Sequence, residues 1–63
     1  MTKITICDQD QYLSVIVSRY VDNHYETIWK TLTLPEPDLM AKAILIAKTL
    51  SDGPIYNYSS RNF

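Results

Sequence analysis

The stretch Gln11–Leu34, QYLSVIVSRYVDNHYETIWKTLTL, decides the fold. Read as a helix, it places Leu13, Val17, Tyr20, His24, Ile28 and Leu32 near one face, and the chain becomes an all-α helical hairpin. Read as strands, Leu13, Val15, Val17 and Val21 alternate with Ser14, Ser18 and Tyr20. Asp22-Asn23-His24 then turns the chain, and Tyr25–Thr33 returns. Composition favours the strands. Val, Ile, Thr, Tyr and Trp fill the segment; they suit a pleated, half-buried surface and lose side-chain freedom in a helix. Asp-Asn is also a turn pair that tolerates positive φ.

Outside the hairpin the signals are shorter. Lys3–Cys7 alternates Ile4 and Ile6 with Thr5 and Cys7, and Asp8-Gln9-Asp10-Gln11 reads as the turn that follows. Beyond the hairpin, Leu39, Ala43, Ile46, Ala47 and Leu50 recur at helical spacing, widened by Met40 and Ile44. Thr33-Leu34-Pro35-Glu36 has the spacing of a capping box, with Asp38 as a competing N-cap. Gly53, read as a left-handed C′ residue, and Pro54 stop the helix. The spacing therefore predicts a helix over 36–51. Ile55–Tyr58 is short and β-prone. The expected fold is α+β: a small antiparallel sheet in β-β-β-α-β order with one helix packed on one face. A single small domain spans 1–63, with 58–63 as a loose tail.

Size and charge exclude much. The 63 residues carry 6 Lys and Arg against 7 Asp and Glu, with 46% apolar and 21% charged residues, a globular composition. There is no room for two lobes around a cleft. The charge balance gives no field strong enough to attract DNA or RNA. A domain this small buries only roughly 60% of the surface its unfolded chain exposes, so marginal stability is expected and the chain is read as a well-packed monomer or a homo-oligomer. Cys7 is the sole cysteine, so no intrachain disulfide forms, and with His24 it cannot build a four-ligand zinc site. The start Met1–Ile6 lacks the pattern of a signal peptide. The apolar run Ala43–Ala47 is far short of the ~20 residues of a membrane span. A cytoplasmic protein without membrane contact is the expectation, and the sequon Asn57-Tyr58-Ser59 is read as chance.

Chemistry-bearing residues are sparse. His24, the one candidate base near neutrality, falls in a turn with no nucleophile motif around a serine. Cys7 precedes Asp8, whose charge disfavours a thiolate, and reads as a small packed residue. Asp8-Gln9-Asp10 opens like a calcium loop, but Tyr12 and Leu13 stand where a third ligand and a glycine are needed. Asp22 and Glu26 read as solvated charges near the hairpin tip. Gly53 is the only glycine, which excludes a phosphate-cradling loop. The expectation is no catalytic residue, no metal and no cofactor.

The aromatic residues are placed differently. In the simple hairpin register Leu13, Val15, Val17, Val21, Ile28 and Leu32 form the bed for the helix. The opposite face then carries Tyr12, Ser14, Ile16, Ser18 and Tyr20 on one strand and Tyr25, Thr27, Trp29, Thr31 and Thr33 on its neighbour. Tyr56 and Tyr58 share a side with each other. Rings and hydroxyls left bare suit recognition. Tyr12, Tyr20, Tyr25, Trp29 and Thr31 are the candidate partner-binding residues. One conflict stands in this register: Lys30 and Glu26 fall under the helix. Were Trp29 to point at the helix instead, the open face would become charged.

The composition thus leads to a non-catalytic protein-binding module that occludes or bridges a surface of a larger partner, as an inhibitor or adaptor. Small phage-encoded blockers of host machinery, anti-CRISPR proteins among them, are of this general kind by size alone. Two alternatives remain. One is single-stranded nucleic-acid binding on the aromatic face, disfavoured by scattered basic residues. The other is a homodimer or structural subunit burying that face.

Overall fold

The structure, a computed structural model, describes residues 1–61. Three strands, β1 (Thr2–Gln9), β2 (Tyr12–Val21) and β3 (His24–Thr33), precede one helix, α1 (Pro37–Leu50), and a short strand, β4 (Ile55–Asn57). The expected order and the single helix on one face are present, and the segment 11–34 is a hairpin, which removes the all-α alternative. The sheet order is β3-β2-β1-β4. The first three strands are antiparallel, but β4 runs parallel to β1, so the sheet is mixed rather than wholly antiparallel. Direction explains it: β3 runs with β1, α1 carries the chain back across the sheet, and the next strand must then run with β1 too.

The turns follow residue chemistry. Asp22 and Asn23 have φ of 51° and 67°, a type I′ pair whose twist matches the flanking strands. The first turn is tighter than expected. Asp8 and Gln9 belong to β1, and Asp10 alone takes positive φ, at 55°.

The core lies between sheet and helix. Ile4 and Ile6 of β1, Leu13, Val15 and Val17 of β2, and Met40, Ala43 and Ala47 of α1 are all buried. The two alanines let the helix backbone approach the sheet, and Met40 fills the remaining space. Trp29 of β3 and Ile44 of α1, both partly buried, pack against this cluster.

Neither helix end uses the expected device. Thr33 ends β3 and its hydroxyl donates to the Leu34 carbonyl, so no capping box forms. Glu36 is the N-cap through its extended backbone alone, and Pro37 opens the helix, where its missing N–H is no loss. At the other end Ser51 leaves the helix in extended conformation. Its hydroxyl donates to Thr2 Oγ1 at 2.8 Å and accepts the Gly53 N–H at 3.1 Å. Gly53 does not take positive φ. It is needed for space: a Cβ there would sit 1.8 Å from the Thr2 carbonyl oxygen. This close approach clamps the start of β1 to the end of α1 and delivers Pro54 to its bond with Ile4.

The segment after β4 is held as far as it is described. Tyr58 N–H donates to the Ile6 carbonyl, and Ser60 N–H to Asp8 Oδ2. Asn57 Nδ2 donates to the Arg61 carbonyl while its Oδ1 accepts the Ser59 N–H. Asn62 and Phe63, the rest of the expected loose tail, lie outside the described residues.

Because the clash at Gly53 is with backbone, it cannot be relieved by a side-chain rotation. Gly53→Ala is expected to lower unfolding free energy by about 2 kcal/mol or more, measured by urea denaturation, whereas Asp52→Ala next to it stays within about 0.5 kcal/mol.

Candidate functional site: the open face of the sheet

One face of the sheet carries α1; the other carries nothing among the described residues. The β1–β2 register sets which side chains reach this open face. Ile4, Ile6, Leu13, Val15 and Val17 point to the helix, so Lys3, Thr5 and Cys7 of β1 and Tyr12, Ser14, Ile16, Ser18 and Tyr20 of β2 point away. Up to the hairpin tip the expectation for β3 also holds, since Tyr25 pairs with Tyr20 and Thr27 with Ser18.

Beyond Thr27 it fails. Val17 pairs with Trp29, not Ile28, because a β-bulge lies between Val17 and Ser18 and one residue of β3 is left over. The bulge reverses every later side chain. Trp29, Thr31 and Thr33 turn to the helix side and are half-buried, while Lys30 and Leu32 turn outward and are exposed. The expected helix bed of Ile28 and Leu32 is therefore absent; Trp29 packs on the core in its place. Of the five candidate residues, Tyr12, Tyr20 and Tyr25 lie on the open face, and Trp29 and Thr31 lie on the other.

The open face gains residues that the simple register did not give it. Tyr56 pairs with Thr5 and so faces the same way. Tyr58 follows it at strand spacing, the two rings stacked at 6.2 Å with an interplanar angle of 9°. Tyr20 and Tyr25 meet edge to face at 5.0 Å. Lys3 joins the two pairs: its Nζ stands 4.0 Å from the centroid of Tyr25 and 5.8 Å from that of Tyr56. The lysine reaches β3 from β1 across Ser18, which lies between them in register and is buried although it is on the open face. Only a small residue there leaves room for the stem. The result is a band of four tyrosines and one ammonium crossing all four strands. Tyr12 stands apart, eight residues along β2 from Tyr20, a span of about 26 Å at strand rise.

Lys3 was legible as a member of this band. It alternates with Ile4 and Ile6, so once those are core the lysine must be opposite. Charge on the two faces is also sorted. Lys3 and Lys30 sit on the open face, while none of the seven Asp and Glu side chains occupies an open-face strand position. Glu26 lies on the helix side and pairs with Arg19 at 2.8 Å.

The other candidates are placed as follows. His24 is exposed in the turn, its Nδ1 3.2 Å from the Asp22 carbonyl. Cys7 is half-buried, and its carbonyl accepts the Ser14 hydroxyl at 3.3 Å. Asp8 and Asp10 border a shallow depression of about 280 Å³ with Tyr12, Pro35 and Arg61, and Asp8 is held by the Ser60 amide. No helix among the described residues is long and apolar enough to cross a membrane. Comparison with protein-family models, with curated proteins and with solved structures finds no match.

The ammonium contributes by charge as well as by covering area, and the two are separable. Lys3→Met keeps most of the stem over Ser18 but removes the charge. It is expected to cost about 0.5–1 kcal/mol of stability, the worth of an exposed cation–π contact, and to alter the near-UV circular dichroism of the tyrosines with no change in the far-UV spectrum.

Proposed function

We propose that the chain is a non-catalytic protein-binding module whose open face occludes or bridges a surface of a larger protein partner. The observation that carries this reading is the pre-assembled band Tyr20–Tyr25–Lys3–Tyr56–Tyr58. Exposed rings fixed against one another lose little entropy on binding, and their phenol hydroxyls stay free for hydrogen bonds. The charge sorting favours one partner chemistry. A face with two lysines and no carboxylate fits an acidic protein surface. Inhibition by occlusion, of the kind small phage-encoded blockers of host machinery exert, is one use of such a face.

A second reading has one observation in its favour: the lysines share the face with the tyrosines, as single-stranded nucleic acid would require. The ring geometry weighs against it. Base stacking needs open π-faces, but one face of Tyr25 is taken by the Lys3 ammonium, and Tyr56 and Tyr58 already lie parallel to each other at 6.2 Å.

The test is capture from the native cell with the full chain as bait, followed by mass spectrometry and titration of the partner so identified. Tyr25→Ala and Tyr56→Ala are each expected to weaken that partner by at least ~1–2 kcal/mol, with far-UV spectra unchanged. Lys48→Ala on the helix leaves binding intact. Trp29→Ala, by contrast, is expected to act on folding, because the indole is packed on the core. Equal binding by the tyrosine variants and the native chain would overturn the reading, and a gel shift with single-stranded oligonucleotides at low salt would replace it by the second.

A further inference from the structure

The sheet has two edges. β4 is three residues long, whereas β3 is ten and has its outer side unpaired among the described residues. Which backbone groups it offers can be derived. Tyr20 N–H donates to the Met1 carbonyl, so even-numbered residues of β2 bond towards β1 and odd-numbered ones towards β3. Their partners on β3 beyond the bulge are Trp29, Thr31 and Thr33, which are thus satisfied inward. Lys30 and Leu32 direct their N–H and C=O groups outward. The segment Thr27–Thr33, TIWKTLT, is β-prone throughout and exposes Ile28 and Leu32.

We propose that this edge pairs with the same edge of a second copy, antiparallel, across a two-fold axis at Thr31. The register follows from two constraints. Hydrogen-bonded positions must face hydrogen-bonded positions; Tyr25 and Thr27 also point outward, but pairing with them would run the second strand through the bulge, so in the regular stretch Lys30 and Leu32 meet each other or themselves. Lys30 opposite Lys30 of the second copy sets like charges against each other. Leu32 opposite Leu32 leaves Lys30 beyond the end of the partner strand. Lys30 opposite Leu32 of the second copy uses both positions twice, gives four reciprocal bonds, and brings Thr31 against Thr31 at the closely spaced non-bonded site. Trp29 then faces Thr33, both on the helix side. A second copy is the occupant because the segment is self-complementary in this register, carries one charge near its centre, and places that charge beside an aliphatic residue whose exposed surface its stem can cover. The product is an eight-stranded sheet, β4-β1-β2-β3-β3-β2-β1-β4, with both helices on one side and both tyrosine bands on the other. The pairing does not depend on what the open face binds.

The experiment is sedimentation equilibrium of the full chain, with folding followed by circular dichroism. The native chain is expected to sediment at twice the monomer mass in the micromolar range. Leu32→Pro removes an outward N–H and no bond to β2, and is expected to weaken dimerisation at least tenfold with the fold retained. Leu32→Lys sets two like charges opposite each other and is expected to do the same; at an exposed position it leaves folding intact. Combining it with Lys30→Glu puts opposite charges across the axis and restores the dimer only in this register. A native chain that is monomeric up to about 1 mM, a dimer indifferent to Leu32→Lys, or a double variant that fails to recover would each overturn the proposal. Should Leu32→Pro fail to fold, the charge pair alone decides.

Discussion

The architecture turns on one surplus residue in β3. Between Ser18 and Val17 the hairpin spends three residues, Thr27 to Trp29, where its partner spends two. A bulge costs a ladder hydrogen bond, about 1 kcal/mol net. Without it, the alternation that begins at the hairpin tip would continue, with Trp29 in solvent and Lys30 beneath α1. Covering an indole on the core is worth on the order of 2–3 kcal/mol, and burying an unpaired ammonium is far more costly than a lost ladder bond. Both terms exceed the cost of the bulge, so the irregular pairing is the stable one. The tip has the opposite requirement. Tyr20 and Tyr25 must stay on the open face, where Lys3 and each other's rings await them.

A second constraint joins the chain's beginning to the end of its helix. Ser51 holds Thr2 across 49 positions of sequence, and Gly53 leaves the room for the Thr2 backbone to approach. From there Pro54 meets Ile4, and β4 is laid parallel to β1 with Ile55, Tyr56 and Asn57 in fixed register. That register is what places Tyr56 beside Thr5 and within reach of Lys3. The aromatic band therefore depends on a contact on the far side of the sheet. A chain whose β4 slipped by one residue would turn Tyr56 towards the helix and Ile55 towards solvent.

Much of this could be read from residue types. The hairpin, its Asp22-Asn23 turn, the helix bed of Leu13, Val15 and Val17, and the buried Ile4 and Ile6 follow from period-2 alternation and turn chemistry. Period 3.6 marks Ala43 and Ala47 as core and Met40 at the margin of the stripe, but Leu39, Ile46 and Leu50 of the same stripe are exposed, because the helix leans on the sheet through its small residues. The bulge has no residue signature of its own, since Ile28 is an ordinary strand residue. Its trace is the conflict it resolves: a lysine and a glutamate falling under the helix in simple register. Lys30 escapes through the bulge, and Glu26 by pairing with Arg19 beyond the helix-covered core. Gly53 was legible as indispensable but for the wrong reason. A glycine after a helix suggests a left-handed residue, and only the fold reveals that a strand backbone passes within a Cβ's reach. The tyrosine band was half legible, because the direction of β4 depends on where the helix returns the chain.

The open face and the β3 edge are orthogonal in kind as well as position. Side chains on the open face stand perpendicular to the sheet and offer rings, hydroxyls and ammonium groups. The outer backbone groups of Lys30 and Leu32 lie in the plane of the sheet, while their side chains stand on the open face. The bulge serves both. By turning Lys30 outward it adds the second positive charge to the open face, and by bringing Trp29, Thr31 and Thr33 inward to β2 it leaves Lys30 and Leu32 as the residues beyond the bulge whose amides face the edge. Had β3 continued without it, the outward amides would belong to Trp29, Thr31 and Thr33. The edge would then carry no charge to choose among registers, and the open face would hold an indole that belongs in the core.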